Sequence, residues 1–190
     1  MVVDDGVAAA LRAGGVDGLQ LFVASCAERM AQLFTGVRGT DPSRQADVDL
    51  LLGTLEDLWT PGLADRQFGE RQEHLEHFFE LQPSEDELVD VADIYAFYAV
   101  LVARYACVYR AIGDSEDSIR CAHAVLTAMG QLDQNVPDGH YFEDERRYQR
   151  RRVELFNRAD SGPVDTLALR REDQSVSLNL LSVIQSRRGL

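Results

Sequence analysis

The feature that most constrains the fold is the stretch from Ile94 to Tyr109, in which Arg104 is the only charged residue. A helix that is apolar on almost every side must be surrounded by other elements. Ser84 and Glu87 precede this stretch with the spacing of a capping box, in which a serine hydroxyl and a glutamate satisfy each other's backbone donors. The sequence therefore predicts a central helix over about residues 84–111.

Apolar residues at helical spacing recur along the rest of the chain. They predict a helix from Asp17 to Gly36, a second long helix from Asp41-Pro42 to Pro61, and a charged surface helix from Phe68 to Leu81. No internal repeat and no long linker interrupts residues 1–190. We therefore expect a single all-α domain, a bundle of six or seven helices packed around the central helix.

The tail from residue 174 to 190 fits two conformations. Val176, Leu178 and Leu180 alternate as they would in a strand, whereas Leu180, Leu181 and Ile184 have the spacing of a helix. The sequence leaves open whether this tail is extended or helical.

The charge of the chain is strongly acidic and unevenly distributed. Its 190 residues contain 32 acidic residues and 19 arginines without any lysine, and residues 41–93 hold 15 of the acids but only 3 of the arginines. Such a balance argues against nucleic acid and against an anionic membrane surface as partners, because both are bound through clustered cations. The absence of lysine excludes Schiff-base chemistry.

Further features favour a cytoplasmic location. The first residues are acidic, unlike a secretory signal, and no apolar run reaches the roughly 18 residues needed to cross a bilayer. The three cysteines, Cys26, Cys107 and Cys121, are odd in number and widely spaced, which is typical of buried, reduced thiols.

Several short motifs along the chain are similar to those of a known family. They are Glu28-Arg29-Met30 with Phe34, Leu58-Trp59, the helix start Ser84 to Glu87, Glu154-Leu155-Phe156, and Val176-Ser177-Leu178-Asn179. Their order resembles the YjaG-like family of uncharacterised bacterial helical proteins, over most of the chain. The resemblance implies an all-α cytoplasmic protein and supplies no catalytic residue.

A tyrosine seam on the central helix is a candidate ligand site. Its predicted members, with the charged residues that would face the same pocket, are Glu28, Arg29, Tyr95, Tyr98, Arg104 and Tyr105. Tyrosine hydroxyls in an interior need hydrogen-bond partners, and such a pocket suits a small polar ligand. The alternative is a core whose tyrosines are satisfied by protein groups, with Glu28 and Arg29 forming a buried pair.

Two histidines give a weak metal-site pattern. His74 and His77 are three residues apart and lie four residues after Glu70 and Glu73, so imidazoles and carboxylates share one helical side. Neither a zincin spacing nor a pair of Glu-x-x-His motifs occurs. Pairing of solvated charges is the alternative, and the sequence predicts no cofactor.

Two functions from different classes fit the sequence. The first is a non-enzymatic accessory or immunity-type protein that binds a partner protein, for instance a basic one, through an acidic helical face formed by Glu73, Glu76, Glu80 and Glu85. The second is a protein that binds a small molecule or metal, including an enzyme, at the tyrosine pocket. Self-association is compatible with both.

The arginine-rich segment 142–158 is expected to pair with the acidic stretch 41–93 rather than to bind an anionic ligand.

Overall fold

The computed structural model describes residues 3–82, 91–136, 138–156 and 164–188. These residues form α-helices and two short 3₁₀ helices without any strand, which confirms the predicted all-α fold class. The α-helices are α1 Asp5–Ala13, α2 Val16–Met30, α3 Gln32–Arg38, α4 Gln45–Trp59, α5 Asp65–Glu76, α6 Val91–Ile112, α7 Ser115–Asn135, α8 Tyr141–Phe156 and α9 Thr166–Arg188. The 3₁₀ helices are Pro42–Arg44 and Phe79–Leu81.

Helix α6 is the predicted central helix. It packs against α2, α3, α4, α5 and α7. Five of its alanines are buried at helical spacing: Ala92, Ala96, Ala99, Ala103 and Ala106. Small side chains let neighbouring helices approach closely. By length and composition Ala92–Ile112 could cross a membrane, but 61% of its most apolar window is buried inside the protein, as in the core helix of a bundle. The predicted capping box lies outside the described residues.

The helix predicted from Asp17 to Gly36 is broken. Helix α2 ends at Met30, and α3 begins at Gln32. At the break the Gln32 backbone N–H donates to the Ser177 hydroxyl at 2.9 Å. Ser177 on α9 therefore accepts the hydrogen bond that the Gln32 N–H would have donated within an uninterrupted helix. With α3 separate and α1 formed, the described residues contain more helices than the six or seven predicted.

The C-terminal segment is part of a continuous helix, α9, so the described part of 174–190 adopts the helical one of the two conformations that the sequence left open. Leu169, Asp173, Ser177, Leu180 and Ile184 repeat every three or four residues and are all buried. The strand-like alternation is misleading because Leu178 is 54% exposed. Burial against α2 and α3 selects the helical spacing.

Candidate functional site

The predicted tyrosine seam divides between core and surface. Tyr95 is buried and its hydroxyl accepts a hydrogen bond from Asn135 Nδ2 at 3.0 Å. The partly exposed Tyr98 hydroxyl accepts from Gln131 Nε2 at 3.4 Å. Burial raises the pKa of both phenols above their usual value, so both remain protonated and neutral at pH 7. Tyr105 is also partly exposed.

Tyr98 and Tyr105 line a groove of about 570 Å³ between α1, α6 and α7, called here the α6 groove. Phe97 and Leu101 complete the side formed by α6, and the Phe97 ring packs edge-on against Tyr98 with centroids 5.1 Å apart. The opposite walls come mainly from α1 and α7 and include Ile119 and the small or short side chains Ala8, Ala124 and Thr127. The result is an open trough with a largely apolar floor.

Charged side chains stand along the rim of the α6 groove. Arg12 on α1 pairs with Glu116 on α7, Nε to Oε1 at 2.6 Å, and this pair links the two helices that form the walls. Arg120 pairs with Asp117 at 2.6 Å. Arg104 is not among the lining residues but lies 5.8 Å from the centroid of the Tyr105 ring, and it pairs with Glu76 on α5 at 2.6 Å. Each of these arginines is therefore already neutralised within the protein.

The other predicted ligand residues, Glu28 and Arg29, do not reach this groove and do not pair with each other. The Glu28 carboxylate accepts from Trp59 Nε1 at 2.8 Å, from Arg170 Nε at 3.1 Å and from Gln174 Nε2 at 3.1 Å. Consecutive residues of a helix point about 100° apart. Glu28 therefore faces α4 and α9, whereas Arg29 faces a different part of the interior.

Arg29 is the centre of a buried polar cluster, called here the Arg29 network. Its guanidinium is 1% exposed and binds both oxygens of Glu145, at 3.0 and 2.7 Å. It also donates to Asp173 at 3.1 Å and to the Ser25 hydroxyl at 2.7 Å. Burial alone would lower the pKa of Arg29, but the carboxylates of Glu145 and Asp173 hold that pKa well above its usual value.

A second buried arginine completes the Arg29 network. Arg152 donates to Ser25 Oγ at 3.1 Å and to Asp173 at 3.0 Å. Gln149 donates to Glu145 at 2.9 Å. Two arginines face two buried carboxylates and the polar groups among them are hydrogen-bonded, which is the condition for a stable buried charge cluster. The network joins α2, α8 and α9 and has the character of a structural core.

Glu145, Gln149 and Arg152 on α8 were not predicted to be buried, because the arginine-rich segment 142–158 was expected to pair with the acidic stretch 41–93. The spacing that would have indicated their burial is visible: these residues and Val153 lie four, three and one residues apart, on one side of the helix. A helix with so few apolar residues can pack only through a polar face.

Among the described residues, the α8 arginines pair with acids outside the stretch 41–93, which corrects the expected pairing. Arg146 and Arg150 both bind Asp4, at 3.3 and 2.7 Å. Arg151 and Arg152 bind Glu172 at 3.0 Å. Within the described residues, α8 packs against α1, α2 and α7. It makes no contact of comparable extent with α4 or α5, the helices of the acidic stretch.

The four predicted partner-binding glutamates do not form one exposed face. Glu73 is exposed, and Glu76 is partly exposed and bound to Arg104. Glu80 is buried, and its carboxylate binds Arg38 at 2.9 Å and Arg44 at 2.6 Å. Glu85 lies outside the described residues. The charged helix ends at Glu76 instead of Leu81, and this turns Glu80 inward.

The Glu80 ion pairs predict a stability that depends on pH. Burial by itself would raise the pKa of Glu80, but hydrogen bonds from Arg44 outweigh it and leave the pKa below the ordinary 4.5. The contribution of Glu80 is therefore complete above pH 4.5 and is lost as the pH falls through its lower, folded-state pKa. We expect Glu80→Gln to lose about 1–3 kcal/mol of unfolding free energy at pH 7.

Urea unfolding of the wild type and of Glu80→Gln between neutral and acidic pH measures this contribution. The two free energies of unfolding should converge as the pH falls below 4.5. Glu73→Gln, at an exposed position of the same segment, is the control and should change little. A constant difference between wild type and Glu80→Gln at every pH would contradict the assignment.

The two histidines are both exposed. His77 follows the last residue of α5, and its Nδ1 lies 2.7 Å from the Glu73 carbonyl oxygen. His74 lies at the edge of a shallow surface groove on α5. Within the ranges that the structure describes, no group of three or more His, Cys, Asp or Glu side chains is arranged to hold a metal ion. His74 and His77 thus have no third metal ligand beside them among the described residues.

The three cysteines are buried, reduced thiols, as the sequence indicates. Burial raises the pKa of the Cys107 thiol to about 12 and raises that of Cys121 as well. A thiol nucleophile must reach its thiolate form, so neither is poised for attack.

Comparison with known proteins supports the fold. No protein-family model and no curated protein matches the chain. A crystal structure of a DUF416 family protein from Shewanella baltica OS155 is similar, with a TM-score of 0.66 over 88% of this chain and 93% of that chain, at 18% sequence identity. At that identity the likeness shows a shared all-α fold.

Proposed function

We propose that the protein is a non-enzymatic, cytoplasmic interaction protein and that its docking surface is the α6 groove. The observation that carries the proposal is the apolar trough that α1 and α7 leave open along the central helix, where Phe97, Tyr98, Leu101 and Tyr105 are all partly exposed. Aromatic and aliphatic side chains in a concave site are the groups that dominate binding energy at interfaces.

The chemistry of the remaining polar groups supports a binding role over catalysis. The Arg29 network is satisfied internally and has almost no exposure. The two thiols with a raised pKa are buried. His123 is on the groove wall, but Cys121 lies two residues away on the same helix and points to the opposite side, with its thiol directed to the Val102 carbonyl.

The acidic surface supports a partner of opposite charge. The chain has a net charge of -13, and Glu73 remains exposed on α5, three residues before Glu76, which pairs with Arg104 of α6. An acidic field speeds encounter with a cationic partner, and the groove then supplies the apolar contacts. This proposal moves docking from the predicted glutamate face to the groove. Membership of the YjaG-like family remains part of the same proposal.

A small apolar ligand is a second candidate for the same site. The volume of about 570 Å³ lies within the roughly 300–1,000 Å³ of ligand pockets. The phenols of Tyr98 and Tyr105 would orient a polar group of such a ligand. If this candidate is correct, native mass spectrometry will show a bound small molecule and no protein partner.

Phe97→Glu is the variant that tests the groove. Phe97 is partly exposed and packs on Tyr98 at the groove, so a carboxylate there should spare the fold and disrupt docking. We expect it to cost at least about 2 kcal/mol of binding, roughly thirty-fold in Kd. Phe79→Glu, at a 68% exposed phenylalanine on another surface, is the matched control.

The measurement is native mass spectrometry of tagged protein purified gently from its source cells, followed by calorimetry with the partner that is identified. Wild type and Phe79→Glu should retain the added protein mass, and Phe97→Glu should lose it. Retention by Phe97→Glu with unchanged Kd would refute the groove as docking surface. An added small molecule in place of a protein would favour the second candidate.

A further inference from the structure

We infer that the α6 groove receives a basic amphipathic α-helix of the partner protein, an inference that rests on the proposed function. The first observation is the shape of the apolar surface. Phe97, Leu101, Tyr105, Val108 and Ile112 are spaced four, four, three and four residues apart, so they form one stripe along α6. Four of them are partly exposed and Ile112 is 70% exposed.

The length of the stripe matches a helix rather than a compact ligand. From Phe97 to Ile112 it runs about 22 Å at 1.5 Å per residue. Only its first half lies in the α6 groove, and the stripe continues past the groove through Val108 to Ile112. An amphipathic helix laid along α6 would present apolar residues at i, i+3, i+4 and i+7 to this stripe.

The walls of the groove suit a close helix–helix approach. Ala8 on α1 and Ala124 and Thr127 on α7 are small or short residues, so the backbone of a docked helix can come near them. The Arg12–Glu116 pair joins the two walls at one position of the rim. The trough is thus bounded by helices that are tied to one another, which favours a preformed site.

Charge decides which kind of helix fits. Each arginine at the rim, Arg12, Arg104 and Arg120, is paired with a carboxylate of this protein. Three exposed acids, called here the rim acids, have in contrast no ion pair within the described part of the chain: Asp5, which lines the groove, Asp114, two residues after the end of the stripe at Ile112, and Glu73, three residues before Glu76 on α5. Lysine or arginine on the polar flanks of a docked helix would complement these acids.

The probes are three fluorescein-labelled 18-residue peptides. One places leucines on a single helical face with lysines elsewhere, one replaces those lysines by glutamates, and one scrambles the leucines of the lysine peptide. Fluorescence anisotropy at low and high salt measures binding to the full-length protein. We expect the amphipathic lysine peptide to bind at least ten-fold more tightly than either other peptide, and to weaken as salt is raised.

Two sets of variants locate the binding. Phe97→Glu should weaken the lysine peptide at least ten-fold, with Phe79→Glu as the matched control. The triple variant Asp5→Asn, Asp114→Asn and Glu73→Gln removes the three rim acids, and asparagine preserves the helix cap at residue 114. It should weaken binding about three-fold to ten-fold. Its control, equal in charge change, is a triple at exposed acids that line neither the groove nor the cavity at Ile112: Asp49→Asn, Asp165→Asn and Glu154→Gln.

The outcomes separate this inference from the proposed function. Equal binding of the scrambled or glutamate peptide, or equal effects of the two triple variants, would overturn the basic-helix inference. If the natural complex is lost in Phe97→Glu while the lysine peptide does not compete for the site, the inference fails and the docking function stands. If the natural complex is also insensitive to Phe97→Glu, both fail. Stoichiometric binding of 8-anilinonaphthalene-1-sulfonate at the groove without peptide binding would likewise overturn the inference.

Discussion

Arg29→Met should lower the free energy of unfolding by about 3–5 kcal/mol, the cost of removing one partner from a buried ion cluster. Methionine has a similar reach but no charge, so the variant leaves the carboxylates of Glu145 and Asp173 buried at 4% and 0% exposure without their shared guanidinium. Urea unfolding followed by circular dichroism measures the loss. The measurement also reports whether α2, α8 and α9 still unfold together.

Arg147→Met is the matched control for this prediction. Arg147 lies on the same helix as Glu145 and pairs with Asp144, but its side chain is 69% exposed. Exposed ion pairs contribute about 0–1 kcal/mol, so this variant should remain close to the wild type. Equal losses in Arg29→Met and Arg147→Met would mean that the Arg29 network does not hold the three helices together.

Phe34→Ala should cost about 3–5 kcal/mol of unfolding free energy, through lost burial and the cavity that remains. Phe34 is fully buried on α3, and its ring packs 5.3 Å from that of Phe78 and under the Arg44 guanidinium. Arg44 in turn binds Glu80. The cavity would therefore loosen the contact between α3 and the 3₁₀ helix that carries Glu80.

Phe79→Ala provides the comparison at an exposed position. Phe79 is 68% exposed and only one residue from Phe78, so truncation there should change the unfolding free energy by about 0.5 kcal/mol or less. Thermal and urea unfolding of both variants give the two values. Similar small losses at both positions would show that Phe34 is not part of a tightly packed core.

The helices were largely predictable because their signals are local. The stripe of Leu19, Phe22, Cys26 and Met30 repeats every three or four residues and marks the buried side of α2. What periodicity missed was the break after Met30. The Gln32 N–H is satisfied by Ser177, which is 145 residues away, and no local pattern reveals such a partner.

The candidate site was predictable only in part. Tyr98 and Tyr105 were expected at a pocket, and they line the α6 groove. Phe97 and Leu101 were not singled out, because an apolar residue on an apolar helix gives no sign of whether another helix covers it. Glu28 and Arg29 were grouped with the tyrosines, although they turn toward other helices.

By itself the sequence determined the fold class, the central position of α6 and the acidic character of the molecule. Helix period, burial tendency and net charge depend only on neighbouring residues or on composition. They can therefore be determined before the fold is known. Only the tertiary structure decided which charges pair and which apolar stripe stays open. The Arg29–Glu145 and Ser25–Asp173 contacts join residues 116 and 148 positions apart. Such partners are chosen by helix packing, since any of the arginines is chemically able to bind any of the acids.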